Sequence, residues 1–172
     1  MKHILGVLVE NHPGVLSKVS GLFSRRGFNI DSLAVGVTED PNISRMTIVV
    51  DGDQYIVEQL TKQLNKLVNV IKVGDIGEDS VTRELALIKV RATPSTRNQI
   101  SEIANIFRAK IVDINKYSMT VEITGDDNKI AAIVDMLKDF GILEMVRTGT
   151  IAIDRGNKMI KYDEEEMEEE DV

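Results

Sequence analysis

The chain contains no cysteine, which excludes disulfides, thiolate metal sites and a cysteine nucleophile and is compatible with a cytoplasmic address. It has no tryptophan, aromatics make up only 4% of 172 residues, and the only histidines are His3 and His12. No apolar run approaches the ~20 residues needed to span a bilayer, and the Met-Lys-His start lacks a signal-peptide pattern. Also missing are a Gly-x-Gly-x-x-Gly after a strand, a Walker loop and a Gly-x-Ser-x-Gly elbow. A lone loop histidine such as His12 has no evident orienting partner or nucleophile, so it makes a poor case for a catalytic base. The pairs Glu39-Asp40, Glu78-Asp79 and Asp126-Asp127 sit where turns or helix starts are expected and read as caps and turn-formers.

What is present is enough apolar sequence, 42%, to build a globular core. The net charge of −7 is a local property. Eight of the 28 acidic residues lie within 163–171, leaving 20 against 21 basic ones in the rest. A nearly neutral body offers no basic field for nucleic acid, and the acidic run reads as a solvated, self-repelling end.

Periodicity divides the chain into two runs of similar order. Residues 3–9 read as a buried strand, and Val15, Leu16, Val19, Leu22 and Phe23 then mark one helical stripe. Pro13 suits its entry and Gly27 its left-handed exit. Alternation over 30–38 and 46–50, a helix with Ile56, Val57, Leu60, Leu64 and Leu67 on one face, and a strand over 68–76 complete β-α-β-β-α-β in residues 1–77. After a short linker at 78–83, the order recurs over 84–155, with helices through Ile100 and Ala104 and through Ile130 and Leu137. A shift of 84 aligns Ile4 with Ile88 and Phe23 with Phe107. The predicted class is α+β, two ferredoxin-like domains followed by an acidic, disordered tail at 156–172. Ile30, Ala34 and Gly36 are expected opposite Leu33, Val35 and Val37, which implies that a second subunit or the sister domain covers the other sheet face. An RNA-binding role for such a sheet would need exposed aromatics, and Ile30, Ala34, Val49 and Val50 stand there instead.

The candidate site is the segment Glu10-Asn11-His12-Pro13-Gly14-Val15-Leu16. It leaves a strand and enters a helix, so unpaired N–H groups and the positive helix end point outward, a geometry that takes carboxylates. Gly14 lets a ligand approach the backbone, Asn11 can donate and accept, and Val15 and Leu16 supply an apolar wall. The same residues also read as an ordinary helix entry of Asn, Pro and Gly, and spacing alone leaves both open.

A resemblance bears on that choice. Glu10-Asn11-x-x-Gly14-x-Leu16-Ser17, Gly21-Leu22-Phe23-Ser24-x-Arg26-Gly27-Phe28-Asn29-Ile30-x-Ser32-Leu33, Ser44-Arg45-Met46-Thr47-Ile48 and Gln63-Leu64-x-Lys66-Leu67-Val68-x-Val70 resemble the regulatory subunits of acetohydroxyacid synthase. The likeness is dense over 1–77 and looser over 84–155, where Phe107-Arg108 and Tyr117 belong to it. It implies that residues 1–77 are an ACT domain that pairs with its twin and holds an amino acid at the shared seam. It further implies a protein without catalysis of its own. Such a protein binds a large subunit dependent on thiamine diphosphate, with Mg2+ and FAD expected only in that partner. It raises the partner's activity and confers feedback inhibition by valine in branched-chain amino acid synthesis. By matching position Asn11, Gly14, Asn29 and Ile30 carry over as effector-site residues beside Val15 and Leu16, with Asn29 approaching from the opposite subunit. A stand-alone amino-acid sensor of the same domain type and a small enzyme of this fold are the alternative readings.

Overall fold

The computed structural model describes residues 1–161. They divide into two compact units: Met1–Val81 with the described residues from Ala152 onward, and Thr82–Ile151. The acidic run at 163–171 lies outside the described residues.

In the front unit, β1 (Lys2–Glu10) leads to α1 (Val15–Arg25), then β2 (Ile30–Val37), β3 (Ile43–Asp51), α2 (Gln54–Asn65) and β4 (Val70–Ile76). The strands form an antiparallel sheet in the order β2-β3-β1-β4. Leu5, Val7 and Val9 of β1 and Met46, Ile48 and Val50 of β3 point to one face. There they meet Val15, Val19, Leu22 and Phe23 of α1 and Val57, Leu60 and Leu64 of α2 in one buried cluster. Asp53 caps α2 by accepting the Ile56 amide at 2.9 Å. α1 closes at Gly27, φ +71°, with the Phe28 amide reaching the Phe23 carbonyl at 3.0 Å.

The rear unit repeats the plan with β5 (Ser80–Arg91), α3 (Arg97–Ile106), β6 (Lys110–Ile114), β7 (Ser118–Gly125), α4 (Asp127–Leu137) and β8 (Ile142–Arg147), ordered β6-β7-β5-β8. A further strand, β9 (Ile151–Asp154), pairs with β5. Ala86, Ile88 and Val90 pack with Ile100, Ala104, Ile130, Ile133 and Leu137. Glu84, 3% exposed, receives Arg147 through Nε at 2.5 Å and Nη2 at 2.7 Å, and the same guanidinium reaches Asp127 at 3.1 Å. Those charged hydrogen bonds hold the Glu84 carboxyl below the usual carboxylate range and raise Arg147.

Several expectations shift. Residues 78–83, expected as a linker, already carry β5 from Ser80. The chain from Ala152 joins the front unit because the Gly77 amide donates to the Asp154 carboxylate at 3.2 Å and the Arg155 amide to the Asp79 carbonyl at 3.0 Å. A register irregularity between Ile30 and Ser32 changes the strand's parity, so Ile30 packs on the core with Leu33 rather than opposite it. The other sheet face carries Gly6 and Gly74 and is met there by the chain's own Ile160. The shift of 84 also fails: it matches Ile4, on that non-helical face, with the core residue Ile88. The equivalent left-handed helix exits, Gly27 and Arg108, stand 81 positions apart.

Candidate functional site

β1 delivers Glu10 to the end of the sheet, and hydrogen bonds pin the loop that follows on two sides. The Glu10 amide donates to the Asn69 carbonyl at 2.9 Å, just before β4, and the Asn11 amide donates to the Asn42 carbonyl at 2.8 Å in the β2–β3 turn. Asn11 Nδ2 adds a bond to the Pro41 carbonyl at 2.9 Å. Asn11 therefore clamps the turn with its amide group and keeps its Oδ1 for another partner.

The chain then turns through Gly14 at φ +84°, a left-handed conformation that side chains other than glycine tolerate poorly. A Cβ there would meet no atom within 4 Å, so the space in front of the backbone is open. The first α-helical bond runs from the Lys18 amide to the Gly14 carbonyl at 3.1 Å, leaving the Leu16 and Ser17 amides without an intrahelical acceptor. The N-cap is a glycine and the first turn has no acidic residue, so among the described residues no side chain caps the positive end of α1. Glu10 is the nearby anion, and it is engaged by Asn69 Nδ2 at 2.9 Å and His12 Nε2 at 3.3 Å. Lys18 Nζ donates to Asn69 Oδ1 at 3.0 Å and extends the chain of contacts. Sequence reasoning passed over Asn69: its partners lie 59 and 51 residues away, and no local pattern signals them.

A single chain brings Asn11, Gly14 and Leu16 together. Val15 does not join them as a wall, because it is 4% exposed and turned into the core. Leu16, 45% exposed, is the apolar side chain left at the helix entry. Asn29 and Ile30 lie elsewhere. Ile30 pairs with Val50, which faces His3, whereas the loop follows the end where Val37 pairs with Ser44 and Ser44 faces Val9. Seven residues of strand at ~3.3 Å each separate those ends by roughly 23 Å. Asn29 is exposed, with Nδ2 at 3.5 Å from Asp31. β2 is the terminal strand of its sheet, and Val35 and Val37 on it are 47% and 60% exposed.

Comparison with known proteins gives a consistent family. Residues 5–72 match the family model described as the AHAS small subunit-like ACT domain, and residues 83–156 that of the small subunit of acetolactate synthase. The chain is 58% identical to a probable acetolactate synthase small subunit of Archaeoglobus fulgidus, over 92% of this chain and 99% of that one. It is 56% identical to the acetolactate synthase small subunit of Mycolicibacterium smegmatis, over 92% and 94%. The crystal structure of the acetolactate synthase small subunit from Thermotoga maritima superposes with a TM-score of 0.87 at 43% identity, covering 92% of this chain and 99% of the other.

Proposed function

The chain belongs to the acetolactate synthase small-subunit family, and from that premise we propose that it is a regulatory subunit without catalysis of its own. In this reading it works in the cytoplasm as a homodimer, binds valine between paired ACT domains, activates the large subunit and makes it sensitive to valine. Thiamine diphosphate, Mg2+ and FAD then belong to the large subunit, which carries out the first common step of branched-chain amino acid synthesis. The single observation that supports the effector site best is the left-handed, unobstructed Gly14 at a helix start with unpaired amides.

A two-fold pairing of β2 edges fits the distances. Antiparallel edges set the Ile30 end of one strand beside the Val37 end of the other, which carries the partner's Asn29 toward the Asn11–Gly14 loop. The same pairing covers Leu16, Val35 and Val37, and it gives Asn29 a role that roughly 23 Å denies it within one chain.

Valine matches such a seam energetically. Burying its isopropyl group contributes about 1.5–3 kcal/mol. The helix end contributes about 0.3–2 kcal/mol toward the carboxylate, and hydrogen bonds from the ligand's ammonium to Asn11 Oδ1 and from the backbone amides to its carboxylate about 1 kcal/mol each. Those magnitudes allow micromolar-to-millimolar affinity, suited to following a metabolite pool. A ligand shifts a subunit arrangement only if it binds one arrangement better than another, and a site shared by two chains meets that condition.

Reconstitution tests the reading: the purified large subunit is assayed alone, with this chain, and with this chain plus valine. Activation that valine reverses is the expected result. No activation by the chain would overturn the regulatory role, and activation indifferent to valine would overturn the effector. Co-purification with a different enzyme would favour the stand-alone sensor instead.

A further inference from the structure

We propose that residues 156–161 are a hinged strap that docks on the front sheet, and that Gly6 and Gly74 form the slot receiving its anchor, Ile160. The two glycines face each other across the β1–β4 ladder. Glycine in mid-strand weakens a sheet and marks places where something approaches the backbone closely. Here the closest approach at both glycines is made by Ile160. A Cβ on Gly74 would lie 2.5 Å from Ile160 Cγ1 and 2.6 Å from Cδ1, and one on Gly6 would lie 2.5 Å from Cδ1. In the rear sheet the corresponding pair, on first and last strands and on the non-helical face, is Leu87 opposite Val146, and Val146 is exposed. The glycine pair is therefore not a demand of the fold, since the same fold accepts two branched residues at that place.

Polar contacts set the strap's register. Lys158 Nζ donates to the Asp75 carbonyl at 3.0 Å and pairs with the buried Asp154 carboxylate at 3.5 Å. Arg45 Nη2 donates to the Ala152 carbonyl at 2.9 Å. Burial lowers the Arg45 guanidinium from its ordinary value, and Asp154 opposes that shift. Lys158 and Ile160 stand two residues apart, the period of an extended chain lying along β4. Gly156, at φ +67° with nothing within 4 Å of a Cβ, is the hinge between β9 and the strap. The slot thus accepts an extended segment with a β-branched aliphatic residue two positions after a lysine. Its occupant is this chain's own segment, which keeps outside segments off that face until it leaves.

Limited trypsin digestion of the full chain, read at the Lys158–Met159 bond, tests docking. Cleavage in Gly74→Ala is expected to be faster by about tenfold or more, because the added methyl expels Ile160 and frees the strap. Gly74→Ala combined with Ile160→Ala should recover most of the protection, since Cγ1 and Cδ1, the Ile160 atoms within 3 Å of the new methyl, are then gone. A fluorescein-labelled peptide of residues 155–161 should bind full-length Ile160→Ser, whose slot is vacant, and should not bind the wild type or Ile160→Ser with Gly74→Ala. Equal and rapid cleavage of wild type and Gly74→Ala overturns the proposal, as does peptide binding that ignores Gly74. A double variant cleaved as fast as Gly74→Ala also counts against it.

Discussion

The front and rear units share strand order, helix packing and a left-handed exit from the first helix, and they differ where the chain turns from first strand to first helix. In the front unit that turn is Asn-His-Pro-Gly, with an empty space before Gly14 and no side chain at the cap. In the rear unit it is filled with hydroxyls: Thr96 Oγ1 accepts the Thr93 amide at 2.8 Å, and Thr93 Oγ1 lies 2.9 Å from Ser95 Oγ. The rear turn bonds its hydroxyls to itself, whereas the front turn bonds Asn11 to the β2–β3 turn and leaves the space before Gly14 open. Two copies of one fold therefore present different chemistry at the same turn. The fold alone predicts neither.

The largest test of that contrast is Gly14→Asp. It forces an L side chain into a φ of +84° and sets a carboxylate in the open space, so valine response should vanish while activation of the large subunit persists. The corresponding rear change, Thr96→Asp, should leave the valine response intact; assays with increasing valine compare the two. Loss of activation along with valine response in Gly14→Asp would instead assign Gly14 to folding or docking.

Next in size is Arg147→Ala, which strands the buried Glu84. Breaking a fully buried pair costs about 3–5 kcal/mol; with the guanidinium 43% exposed, a loss of about 2 kcal/mol is expected in urea unfolding of the rear unit. The pair also fixes a pH dependence. Glu84 titrates lower folded than unfolded, so its stabilisation is complete above the unfolded value of ~4.3 and disappears as pH falls through the lower folded value. Glu84→Gln should flatten that acid limb, as followed by circular dichroism against pH. An unchanged limb would show that other carboxylates control it.

Asn29→His should weaken the valine response by a few-fold, less than Gly14→Asp, because it perturbs a contributing group and not the anion grip. Unchanged sensitivity would remove Asn29 from the site. The smallest expected effects compare the helix exits. Gly27→Ala should destabilise the front unit by about 1 kcal/mol, since the left-handed region penalises a Cβ. Arg108→Gly, at φ +55°, should change the rear unit's stability by less than about 1 kcal/mol, because relief of strain is offset by the added freedom of the unfolded chain.

Much of the fold was legible because it depends on short-range periodicity. The stripe of Val15, Val19, Leu22 and Phe23 and the alternation of Met46, Ile48 and Val50 each mark a buried face directly. The Asp126 cap was equally readable, accepting the Lys129 amide three residues on. Ile30 was misplaced because one irregular position reverses strand parity without altering composition. The loop could be found from Gly14 and Asn11, yet Val15 was assigned to its wall because a helix-entry residue can turn either way. Asn69 and Ile160 left no local trace at all.

From sequence alone came the division into two β-α-β-β-α-β runs, the absence of cysteine chemistry, the placement of the charge, and a family likeness concentrated in the front run. Those properties follow from residue type and near-neighbour spacing. The tertiary structure alone decided which face Ile30 joins, how far Asn29 lies from Gly14, and which side chain fills the glycine pair on β1 and β4. Each of these depends on contacts between segments tens of residues apart, where packing and strand register select among arrangements that local preference leaves nearly equal in energy.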